Sequence, residues 1–220
     1  MITDEKGTST RARQWFIVSR WQEYEGEARA NLLRIICVGA FYIIELINHG
    51  VQLGVLQLPQ VVDDRFHASM TGLAAAWAAL SLVTLVCLRS HILPAGLKYA
   101  TTAADVVLMT AVLMTADGPR SPLVVGYFLI VALASLRLSR GLIWAATVGS
   151  MAGYLFLLGY VKYYAPAERA AAMTVPRYHQ MIILVAIALA GVILGQLVRR
   201  VRTMAEDFAR RVLIEEGRSS

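Results

Sequence analysis

Charge is scarce in this chain. Asp, Glu, Lys and Arg make up 16% of its 220 residues, while 57% are hydrophobic and the mean hydropathy is +0.57. A soluble domain carries about 25% charge, so both a water-soluble globule and a disordered chain are excluded. Cysteine is scarcer still: Cys37 and Cys87 alone, expected near the same ends of two neighbouring spans as buried small hydrophobes without a disulfide. The apolar runs lack the period-2 alternation of a membrane barrel. No H-x-x-x-H or H-E-x-x-H pair, phosphate loop or nucleophile–base pair occurs, which leaves no catalytic motif. A cleavable signal peptide is also missing, because residues 1–34 mix Asp4, Glu5, Glu23, Glu25 and Glu27 with six basic residues.

What is present is a series of runs long enough to cross about 30 Å of hydrocarbon. Six are expected, at approximately 33–54, 72–93, 97–116, 122–138, 141–161 and 180–198. The fold class is therefore an all-α integral membrane bundle, with a tail over 1–31, a transmembrane domain over 32–198 and a helical exit over 199–220. Six crossings put 16 of the 21 Lys and Arg on the side of the termini, and Arg65, Arg120, Lys162, Arg169 and Arg177 on the other. The positive-inside rule makes both termini cytoplasmic. The net charge of +6 is then accounted for by topology and anionic headgroups, and the lipid bilayer, not nucleic acid, is the expected partner.

Residues 10–27 interleave Trp15, Phe16, Trp21 and Tyr24 with Arg11, Arg13 and Arg20, the composition of an amphipathic helix in the headgroup plane. Within the first span, Tyr42, Glu45, Asn48, His49 and Gln52 recur every three or four residues, so they share one helix face. This seam is either an interhelical hydrogen-bonding zipper or one wall of a ligand or proton site. Asp105 in the third span follows Thr101 and Thr102 by about a turn, and its expected partner is His49 or Arg137. His49, His67 and His179 fall on the outer side with Asp63 and Asp64, where a metal or haem site is conceivable in composition although no ligand spacing marks one. Gly149 with Gly153, and Gly191 with Gly195, are small-x-x-x-small pairs expected to pack against one another or across a dimer axis. Beyond the sixth span Leu197, Val201, Met204 and Phe208 follow spacings of four, three and four. They predict either a coiled-coil stub in a homodimer or a tail on the membrane surface. The two halves of the chain show no internal repeat, which weighs against an inverted-repeat transporter.

From Tyr99 to Arg211 the chain resembles the membrane-embedded input region of bacterial sensor histidine kinases and related multi-span receptors. The resemblance rests on the tight turn Asp117-Gly118-Pro119-Arg120-Ser121-Pro122-Leu123, then Tyr127, then Ala134-Ser135-Leu136-Arg137-Leu138. In redox-responsive members the equivalent turn reads Gly-Gly-x-x-Asn-Pro-Phe and is implicated in quinone sensing; here Gly118 and Pro122 match, while Asp117, Ser121 and Leu123 replace the others. The resemblance implies a sensory module of the bacterial cytoplasmic membrane. No phospho-acceptor histidine region or nucleotide-binding domain follows Ser220, so the expectation is a module either truncated from a cytoplasmic output domain or associating with an output domain or partner. A haem-, quinone- or metal-binding protein and a small transporter or channel lined by Glu45 and Asp105 are the competing readings.

Overall fold

The computed structural model describes residues 4–50, 64–90 and 96–219, and side chains over 24–47, 66–90, 96–205 and 207. All regular structure among the described residues is helical: α1 (Asp4–Gly50), α2 (Asp64–Arg89), α3 (Leu97–Thr115), α4 (Val125–Leu136), α5 (Arg140–Tyr163), α6 (Ala167–Met173) and α7 (Arg177–Ser219). Five of these contain segments long and apolar enough to cross a membrane: Tyr24–Ile47, Phe66–Arg89, Leu97–Thr115, Arg140–Tyr163 and Arg177–Ala205. This fits a multi-pass membrane protein. A shorter apolar helical stretch covers Pro122–Leu136, where the fourth crossing is expected. The 19 residues of α3 rise about 28 Å, close to the hydrocarbon thickness.

The boundaries differ most from the sequence reading at the start of the first segment. The first apolar segment begins at Tyr24 instead of residue 33, and α1 runs without a break through the expected amphipathic helix. The proposed division after residue 31 therefore lies inside one helix. The reason is that Gly26, Glu27, Ala30, Asn31 and Arg34 are all buried on one face of α1, so that face belongs to the bundle interior while Glu25 and Arg29 stay exposed. The second unexpected feature is α6, a two-turn helix in the connection before α7.

Local chemistry explains the turns. After α3, Gly118 adopts φ +60, a left-handed conformation that glycine reaches without a Cβ penalty. Pro119 and Pro122 then occupy early positions of two short 3-10 turns, and the Ser121 hydroxyl accepts a hydrogen bond from the Leu123 N–H. The α4–α5 turn is tighter and carries strain. Leu138 has φ 49, which costs a non-glycine residue about 1–2 kcal/mol. Its side chain packs against the central core, which offsets that cost and fixes the preceding residue, Arg137, pointing inward.

Four helices close a ring: α1 packs on α2, α2 on α3, α3 on α4, and α4 back on α1. Outside that ring α5 packs against α3 and α4, and α7 against α5 and α4. The dense apolar core lies in this second group, around Leu113, Tyr127, Val131, Leu142, Ile143, Tyr154, Leu157 and Ile187. The outer surface is also apolar, with Ile43, Ile44, Leu82, Val86, Phe156, Ile182 and Ile193 exposed, whereas the charged side chains of Glu27, Arg34, Asp105 and Arg137 are buried. That inversion is expected where the surroundings are hydrocarbon.

Within the chain the two glycine pairs do not pack against one another. Gly149 faces Val106 of α3, and Gly153 faces Thr110 and Tyr127, making room for the 2.8 Å hydrogen bond between the hydroxyls of those two residues. Gly191 lies against Thr147 of α5, and Gly195 has open space around it. Helix rotation decides this: in α5 the face that carries Gly149 and Gly153 points to α3 and α4, and α7 meets α5 along a different face.

Candidate functional site

Three tiers of polar contacts cross the four-helix ring. The first is built on Arg137. Its Nη1 donates to the Lys98 carbonyl at 2.9 Å and to Thr102 Oγ1 at 2.9 Å, and its Nη2 donates to Thr101 Oγ1 at 3.1 Å. Nη2 also lies 3.0 Å from Glu27 Oε2, both side chains being almost fully buried. Gly26 permits this approach, since a Cβ there would lie 3.3 Å from the Arg137 Cα and the Leu136 carbonyl oxygen.

The second tier stands two turns further along α1. The Arg34 guanidinium grips Asp105 from two sides, with Nε donating to Oδ1 at 2.8 Å and Nη2 to Oδ2 at 2.7 Å. Arg34 Nη1 donates to Asn31 Oδ1 at 2.9 Å, and Asn31 Nδ2 in turn donates to the Ser81 carbonyl at 3.1 Å. The Trp77 indole N–H donates to Asp105 Oδ1 at 2.9 Å. The two side chains of the pair are 3% and 6% exposed, so this is an ion pair spanning the ring from α1 to α3, of the planar bidentate kind that arginine makes well. Arg137, one of the two residues expected to pair with Asp105, is instead engaged by Glu27 and the start of α3; the side chain of His49, the other, lies outside those described. Over the two tiers the charges of Glu27, Arg34, Asp105 and Arg137 cancel, which is how buried ions are tolerated in a low dielectric.

The third tier joins α1 to α2. His67 Nδ1 lies 2.9 Å from Glu45 Oε1, and the hydroxyls of Tyr42 and Thr71 share a 3.3 Å hydrogen bond. Asn48 and His49 continue the helix, but their side chains, like Gln52 and Asp63, lie outside the described residues. Of the three outer histidines, His179 is exposed at the start of α7, edge-on to Tyr178 at 6.5 Å. Among the described residues no three His, Cys, Asp or Glu side chains come close enough to hold a metal ion.

Between the second and third tiers the ring lines a partly open cavity of about 360 Å³. Arg34 and Asp105 lie at one end and Glu45 with Phe66 towards the other, and the wall between is apolar, formed by Phe41, Trp77, Met70, Met109 and Ile130. The 11-residue separation of Arg34 and Glu45 on α1 corresponds to about 16 Å of helix rise. This volume falls in the range of small-molecule sites, and a few polar groups among apolar walls is the usual lining. The cavity brings together Tyr42, Glu45 and Asp105 of the expected site residues and leaves out His179. Sequence reasoning missed Arg34, Asn31, Glu27 and Trp77. The signal was there: Glu27, Asn31, Arg34 and Val38 are spaced by four, three and four, in phase with Tyr42 and Glu45, but Arg34 reads as a flanking loop charge when the span is started at residue 33.

No known protein family, curated protein or solved structure matches this chain.

Proposed function

We propose that the chain is a six-crossing sensory input module that converts occupancy of the intramembrane cavity into displacement of α7. One observation carries the reading: α4 forms a wall of the cavity through Gly126, Ile130 and Leu133 and also packs on α7. A ligand that pushes on α4 thus acts on a helix that runs unbroken from Arg177 to Ser219. In the last part of the apolar segment, Leu197, Val201 and Met204 are exposed, which leaves a stripe available for a second copy or an output partner; Phe208, the fourth member, lies beyond the described side chains. The resemblance to sensor histidine kinase input regions supports the same assignment.

Counting Pro122–Leu136 as a crossing, at about 22 Å, makes the number even and puts both termini on one side. Arg34 and Arg137 are bundle groups, not loop charges, so of the sixteen basic residues first assigned to that side fourteen remain, against five opposite. The bias still favours cytoplasmic termini, in a bacterial cytoplasmic membrane. A reporter fused after Ser220 is expected to be active only in its cytoplasmic form, and one near Arg169 only in its external form; the reverse pattern overturns this topology.

The signalling reading is tested with single cysteines at positions 197–208, after replacing Cys37 and Cys87 with serine. Crosslinking that peaks at 197, 201, 204 and 208 is expected for a parallel two-stranded exit. Uniform or absent crosslinking removes the dimeric output helix. A second reading, a small transporter or channel, draws on Glu45 and Asp105 lining the same cavity, and predicts solute flux in sealed vesicles.

A further inference from the structure

We infer that the cavity takes a lipophilic monovalent organic cation, with Glu45 as its counter-ion. The inference rests on the sensory reading above, in which this cavity is the input site, and names the chemical class that would fill it. The argument begins with charge. At the inner end Arg34 and Asp105 neutralise each other through two short hydrogen bonds, so that end offers no net charge. Glu45 is the other ionisable acid on the lining. His67 meets only its Oε1; Oε2 is shielded from solvent and has no hydrogen-bond donor among the described residues. The lining therefore presents one further carboxylate, with one of its two oxygens lacking a donor, among apolar walls.

Such a carboxylate oxygen is costly to leave unmatched. An anionic amphiphile would add repulsion in a low dielectric, and a neutral one would leave the carboxylate without a counter-charge. A cation removes both difficulties. The rest of the wall suits one: Phe41, Tyr42, Phe66 and Trp77 offer aromatic faces, and Met70 and Met109 offer polarisable sulfur. The route in is lateral. α1 and α4 meet closely at Gly26 and Arg137, whereas further along the cavity is bordered by Phe41 and Ile44, both exposed on the outer surface, so an apolar ligand dissolved in the bilayer reaches the site without crossing water.

The test compares two ions of one shape and opposite charge, tetraphenylphosphonium and tetraphenylborate, by equilibrium dialysis against the full chain in nanodiscs of zwitterionic lipid, with empty nanodiscs subtracted. One saturable phosphonium site and no saturable borate binding is expected, and this comparison needs no variant. Glu45→Gln should weaken phosphonium binding by about tenfold or more, as for loss of a counter-ion in a low-dielectric site, while Glu45→Asp keeps most of it. Borate binding as tightly as phosphonium, or Glu45→Gln binding like the wild type, overturns the inference. Crosslinking at positions 197–208 on the same samples separates this from the reading it rests on. Phosphonium that binds through Glu45 without altering the crosslinks supports the ligand class and overturns the input module. Crosslinks that respond to a neutral amphiphile, with no phosphonium binding, do the opposite.

Discussion

Asp105→Ala should lower the stability of the bundle by about 3–5 kcal/mol, the cost of stranding one member of a buried ion pair. Arg34 would keep its guanidinium in a site where the pair is 3% and 6% exposed, and the Trp77 N–H would lose its acceptor as well. Against a total stability of about 5–15 kcal/mol, this is enough to leave little folded protein at elevated temperature. Denaturant titration in mixed micelles, followed by circular dichroism, measures it. Asp105→Asn should fall between, because one acceptor oxygen remains. The double variant Arg34→Met with Asp105→Leu should recover most of the loss, since an apolar pair of similar volume needs no desolvation. A loss under about 1 kcal/mol for Asp105→Ala would mean that Arg34 finds water or another acceptor, and the account of the second tier would fail. What the double variant should not recover is the ligand response, because Arg34 and Asp105 form one end of the cavity.

Gly191→Ala is expected to be the next most damaging single change, at about 1–3 kcal/mol, the usual range for overpacking. An added Cβ would fall within 3.0 Å of Thr147 Oγ1, Cγ2 and Cβ. Thr147 cannot yield easily, being buried with its hydroxyl donating to the Ile143 carbonyl at 2.8 Å, so α5 and α7 must separate. Gly195→Ala, one turn away, meets nothing within 4 Å and should be neutral or slightly stabilising through helix propensity. Gly149→Ala makes an ordinary 3.6 Å contact with Val106 and should also be mild. The same titration checks all three, and equal effects at 191 and 195 would rule out the close α5–α7 approach. Because α7 also touches α4, the α5–α7 contact helps to set how cavity occupancy reaches the exit helix, and Gly191→Ala should blunt any ligand effect on crosslinking there.

Hydropathy and composition by themselves determined that this is a bundle of apolar helices, since in hydrocarbon every backbone polar group must be satisfied within its own segment, a local condition readable in each run of residues. They also placed Glu45 and Asp105 inside, because a carboxylate on the lipid face is too costly, and they marked α7 as continuing past its apolar segment. Which acid meets which base was decided only by tertiary structure. Asp105 pairs with Arg34, 71 residues away, and Arg137 with Glu27, because α1 closes the ring against α2 and α4. Periodicity tells which residues of a helix share a face, but not which helix that face will meet. The same holds for Gly153 and Gly191, whose spacing marked close approach without naming Thr110, Tyr127 or Thr147 as the neighbour. The cavity likewise belongs to no single segment: it exists because four helices close a ring around side chains too few to fill it.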